Sequence, residues 1–124
     1  MRLHSFPTRR SSDLETALFD VDHGVHLGRA LALARQAQRA RPSIDGDDVL
    51  GWALARNGRC AEALPYSQRA LRLGTLDALK FFHRGMIERC LGHDSDARGW
   101  FGRALRLNPQ FSLLWSPVAR RYAS

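Results

Sequence analysis

The chain is 124 residues long and carries a formal net charge of +7, a size that suits one small domain with a single continuous core. No apolar run approaches the roughly 18 residues a membrane-spanning helix needs. There is no Gly-rich phosphate loop and no Ser/His/Asp or Cys/His arrangement in recognisable context, so neither catalysis nor a bound cofactor is expected.

The first 14 residues stand apart. His4–Leu14 reads HSFPTRRSSDL, which resembles a sequencing adapter translated in frame, the alternative being a natural polar arm. Residues 1–14 are therefore expected to be a non-native or disordered arm, with native sequence starting near Glu15 and an upstream portion missing. Arg2, Arg9 and Arg10 of this arm supply part of the positive charge.

Beyond the arm, apolar residues recurring at three- and four-residue intervals predict helices near 15–23, 27–40, 45–57, 60–73, 78–91 and 94–107, then a short one near 116–123. No useful stretch alternates with period two, so strands are not expected. Asn57-Gly58 and Leu91-Gly92 read as helix ends, where glycine accepts a left-handed conformation. Pro65 lies beyond the first turn of the fourth helix and predicts a lost backbone bond with a kink. Leu71, Leu73, Phe101, Leu105 and Leu107 form stripes expected to face the core. Asp94 is expected to cap the sixth helix, and Pro109 to stop it. Ser116 should cap the last helix, with Pro117 at its first position.

These elements repeat. RALRL occurs at Arg69–Leu73 and again at Arg103–Leu107, 34 residues later. At the same offset Gly51 returns as Gly85, Gly58 as Gly92 and Ala63 as Ala97. Phe81, Arg84, Gly85 and Glu88 are followed by Trp115, Val118, Ala119 and Tyr122. Ala30, Ala37 and Pro42 precede Ala63, Ala70 and Thr75 by one residue less. Such a period means stacked units, each unable to bury its apolar face alone. Small residues at 51, 63, 85 and 97 are expected where the two helices of a unit cross.

The pattern resembles the tetratricopeptide repeat, W-x2-L-G-x2-Y…A-x3-F…P. Gly85, Ala97, Phe101, Ala104 and Pro109 match it in the third unit, and Leu50, Gly51, Ala63 and Ala70 in the second. Ala30, Ala37 and Pro42 match in the first, and Trp115, Ala119 and Tyr122 in the fourth. Arg84, Glu88, Ser67 and Thr75 depart from it. The resemblance implies an all-α fold, an α-solenoid of antiparallel helix hairpins over residues 15–124. Its units would span about 15–43, 44–77 and 78–111, with a partial capping unit at 112–124. The resemblance also implies a concave surface built from the first helix of each unit.

On that surface the expected groove residues are Phe19, Asp22, Asp48, Trp52, Phe82, Met86, Arg89 and Arg120, with Asp45 and Arg56 beside them. Trp52, Phe82 and Met86 would form an apolar strip with carboxylates on one side and guanidinium groups on the other, suited to a peptide or a partner helix. The alternative for Trp52 and Phe82 is simple core packing. The Lys, Asn and Arg clamp with which some members of the family hold chaperone tails is missing, since Asp48, Trp52, Phe82 and Met86 occupy those places. The function expected is non-catalytic protein–protein interaction. The runner-up is a structural spacer or regulatory repeat region of a larger enzyme or sensor protein.

Remaining polar residues suggest no second chemistry. Cys60 and Cys90 lack paired-cysteine spacing, and a zinc site would have to recruit His83 or His93, so the cysteines are expected to act as small buried hydrophobes and no metal is expected. Asp20, Asp22 and His23 could suggest a hydrolytic or metal cluster, but Asp22 is expected to face away from Val21 and Leu18 as a solvated or groove-facing carboxylate. Arg69, Arg72, Arg103 and Arg106 fall on the convex face without interleaved aromatics, so a nucleic-acid partner is not expected. Self-association through exposed solenoid ends is expected. The compartment is left open, with the cytoplasm as default.

Overall fold

The computed structural model describes residues 9–124, with side chains from residue 12 onward. Seven helices account for most of it: α1 Arg9–Asp22, α2 Leu27–Ala40, α3 Ile44–Arg56, α4 Cys60–Ala70, α5 Ala78–Cys90, α6 Asp94–Leu107 and α7 Ser116–Ala123. No strand occurs among the described residues. α1 pairs with α2, α3 with α4 and α5 with α6, while α7 packs on α6. The first helices α1, α3 and α5 also touch in sequence, so three hairpins stack in layers around a shared core.

Local chemistry sets several helix ends. Ser43 caps α3 by accepting from the Gly46 amide at 2.9 Å. Asp77 caps α5 by accepting from Leu79 and Lys80 at 3.0 and 3.2 Å. Gly58 and Gly92 follow α3 and α5 with φ of +79° and +82°, the left-handed region that a side chain would resist. At α6 the expectation fails in detail. His93 takes the cap position without a side-chain bond, and Asp94 is the first helical residue, where its charge still suits the helix N-terminus. α4 runs unbroken through Pro65.

The repeat predicted the hairpin seams. A methyl group built on Gly51 would meet the Ala63 carbonyl and the Tyr66 Cβ at 3.3 Å, and one on Gly85 would come within 2.6 Å of the Phe101 ring. Both glycines therefore let the second helix of their unit approach closely. Ala63 and Ala97 are buried beside them.

Residues 9–14 are helical and Leu14 is buried; residues 1–8, and with them part of the adapter-like stretch, lie outside the described residues. Three expectations need correcting. α4 stops at Ala70, so Leu71–Gly74 turn away and Leu73 is exposed. Leu107 is likewise exposed, because α6 buries Ala97, Phe101 and Ala104 instead. Finally, Cys60 and Cys90 are joined as a disulfide across 30 residues, with Cα atoms 6.2 Å apart. Antiparallel packing puts the start of α4 beside the end of α5, which places the two residues together despite their separation in sequence.

Candidate functional site

The stacked first helices carry one aromatic cluster. Trp52 on α3 and Phe82 on α5 meet edge to face, with ring centroids 5.9 Å apart. His83 stacks on Trp52 at 4.5 Å. From the stretch between α6 and α7, Phe111 and Trp115 come down onto the same rings. Phe111 lies 5.5 Å from Phe82, and Trp115 lies 5.4 Å from Phe82 and 5.6 Å from Trp52. Rings at these spacings and tilts add to the burial of their apolar area.

A carboxylate organises the cluster's polar edges. One oxygen of Asp22, at the end of α1, accepts from the Trp52 indole N–H at 2.9 Å and from the Trp115 indole N–H at 3.2 Å. Arg56 lies over both indoles, 5.4 Å from one ring centre and 5.0 Å from the other, a cation–π arrangement. Beneath the rings, His83 Nδ1 sits 3.0 and 3.1 Å from the two oxygens of Asp48. His83 Nε2 is buried without a hydrogen-bond partner among the described residues.

The expected groove residues divide accordingly. Asp22, Trp52 and Phe82 join the cluster, and Asp48 supports it through His83. Trp52 and Phe82 are 1% and 0% exposed, so they pack as core and do not form an open strip. Met86 is half-buried against that core. Phe19 is exposed and stacks on His23 at 4.2 Å. Arg89 is exposed with its guanidinium 3.8 Å from the Tyr122 ring centre. Arg120 is exposed and donates to the Pro109 carbonyl at 3.0 Å. Asp20 is buried beside Arg29.

Sequence reasoning missed His83, Phe111 and the role of Trp115. Trp115 was read as the counterpart of Phe81, which stays on α5 and packs against Trp100 at 5.7 Å. By the 34-residue offset α7 would begin at 112, yet it begins at Ser116. Pro117 is the available signal: proline suits the first helical turn and disfavours a helix interior, so it draws the start of α7 towards itself. In the stretch before it Phe111 and Trp115 turn inward, while Leu113 and Leu114 stay exposed.

Away from the cluster, several buried charges are paired. Burial opposes the charge on Lys80, but Asp45 and Asp77, each 2.9 Å from Nζ, outweigh it and hold the ammonium well above its ordinary value. Asp77 is lowered in turn against its burial, chiefly by its hydrogen bonds with Lys80. Asp47 faces Arg69 and Arg72 at 3.6 and 3.5 Å, while Arg103 lies over Phe81 and Trp100. Burial would raise Glu88, but His93 at 2.7 Å and Arg84 at 2.8 Å lower it. Glu88, His93 and Asp96 have ligand atoms within 4.8 Å of one another, a compact set that sequence spacing hid, with Glu88 already shared between Arg84 and His93. Near the chain's end, a pocket of about 250 Å³ is bordered by Arg89, Arg98 and Arg121, together with Asp94 and Tyr122.

The chain superposes on the NMR structure of the first TPR domain of the human RPAP3 protein with a TM-score of 0.73, at 18% identity, over 95% of this chain and 92% of that chain. The fold is therefore of the tetratricopeptide type, an all-helical repeat of stacked hairpins. No protein-family model matches the chain, and no curated protein matches it by sequence.

Proposed function

We propose that the chain is a non-catalytic protein-interaction module that engages a peptide or a partner helix on the face formed by α1, α3 and α5. The observation that supports this reading is the likeness in fold to a TPR domain, with Phe19, Arg89 and Arg120 exposed around the buried Trp52 and Phe82. Aromatic side chains and arginine dominate the energetics of protein interfaces. Arg89 and Arg120, both exposed, would favour partners with acidic residues flanking an aromatic anchor.

Peptide display on the immobilised chain tests the proposal. Enriched peptides should combine an aromatic residue with nearby Asp or Glu. The double substitution Arg89→Glu and Arg120→Glu should weaken them at least tenfold while leaving the helical signal intact. Absence of any enriched class would count against the reading.

The spacer reading has its own supporting observation, the burial of Trp52 and Phe82. A spacer would give no enriched peptides, yet would keep a fixed end-to-end distance measurable by energy transfer between dyes on α1 and α7.

A further inference from the structure

The stretch 108–115 has the form of a ligand seated on the proposed interaction face. It leaves the repeat register, since α7 starts four residues later than the offset from α5 predicts. It holds its own shape: Ser112 Oγ accepts from the Trp115 amide at 3.0 Å, and Ser116 Oγ accepts from the Ser112 amide at 2.9 Å. Its two aromatic residues, four apart, point into the cluster, while Leu113 between them is 97% exposed. The Trp115 indole donates to Asp22, 93 positions away on the first helix. None of these contacts is shared by Phe81 at the equivalent place in the preceding unit.

Building on the proposed function, we propose that Phe111–Trp115 is an internal ligand of this face. The partner it stands in for is a segment presenting two aromatic residues at i and i+4, the second a tryptophan whose N–H reaches Asp22. Partner and internal segment then compete for Trp52, Phe82 and Asp22. A tethered segment acts at an effective concentration of about millimolar. An external segment must exceed that, so the intact chain binds it weakly and release of the internal segment exposes the site. Anchors spaced i and i+4 are a recurring way for a helical segment to fill a groove.

The probe is a labelled synthetic peptide with the sequence of residues 108–117, titrated by fluorescence anisotropy into the full chain and into a Phe111→Ala, Trp115→Ala variant. The variant should bind at least tenfold more tightly than the parent. Adding Asp22→Ala to the variant should remove most of that gain, and a peptide with alanine in place of its tryptophan should not bind. Equal affinity for parent and variant, or binding to neither, overturns the proposal. Should the double variant lose helicity by circular dichroism, Trp115→Phe replaces it. That variant keeps a ring, gives up the bond to Asp22, and should bind about threefold more tightly than the parent, with no gain overturning the idea. The outcome is separable from the display experiment. Selected peptides that bind without competing with this probe would retain the interaction reading and remove the internal ligand.

Discussion

Phe81 and Trp115 occupy the same place in successive repeats, yet one stays with its own hairpin and the other crosses the molecule. Phe81 lies within α5, against Trp100 of α6 and beneath Arg103. Trp115 precedes α7 and is bound to Trp52, Phe82 and Asp22 from earlier units. The difference shows that a repeat position specifies a side chain's chemistry more firmly than its neighbours. A shift of four residues in a helix start is enough to redirect an indole from one seam to another face.

The largest expected break in this comparison is Trp52→Ala, which removes the platform on which Trp115 rests. Deleting a buried aromatic of this size costs about 3–5 kcal/mol, measured as a fall in urea stability. A loss below about 1 kcal/mol would mean that the ring is not a core element. Reduction of the Cys60–Cys90 disulfide acts on the regular hairpins instead. For a loop of this length, chain entropy gives about 3–4 kcal/mol, so the thermal midpoint should drop on adding reductant. The same midpoint with and without reductant would contradict a formed bond.

A smaller effect separates the two interior seams. Gly85→Ala drives a methyl group to 2.6 Å from the Phe101 ring, whereas Gly51→Ala makes a tight but longer contact, 3.3 Å from the Ala63 carbonyl and the Tyr66 Cβ. Overpacking should cost about 1–3 kcal/mol at Gly85 and less at Gly51; the reverse order would show that the seams are not built as described. The smallest expected effect comes from acid. Glu88 and Asp77 lie below their ordinary values of 4.5 and 3.8. The stability they contribute is complete above those values and is lost as the pH falls through their lower folded-state ones. The denaturation midpoint should therefore hold at neutral pH and decline below about pH 4, and Glu88→Gln should make that decline shallower.

Much of the fold was legible in the sequence because its determinants are periodic. Gly51, Gly85, Ala63 and Ala97 announce close helix crossings by size alone, and RALRL sets the spacing. Asp22, Trp52 and Phe82 were read correctly as residues of the first helices. The burial of Trp52 and Phe82 stayed one of two alternatives, because the stretch that covers them breaks the period. The disulfide escaped for a related reason: Cys60 and Cys90 become neighbours only through the antiparallel course of α4 and α5, and no local spacing records it. Leu73 and Leu107 misled because a helical stripe extended past the residues that pack.

Asp22 holds a tryptophan from the middle of the chain and another from its last stretch. A pile of repeats joined only to nearest neighbours can fray from either end, like a stack of coins. Here the first helix and the final turn share one oxygen atom, so the pile is fastened as a bracelet is by its clasp. Pulled from its ends, such a chain should resist until that fastening parts and then yield in one large step, where an unclasped stack would lengthen layer by layer.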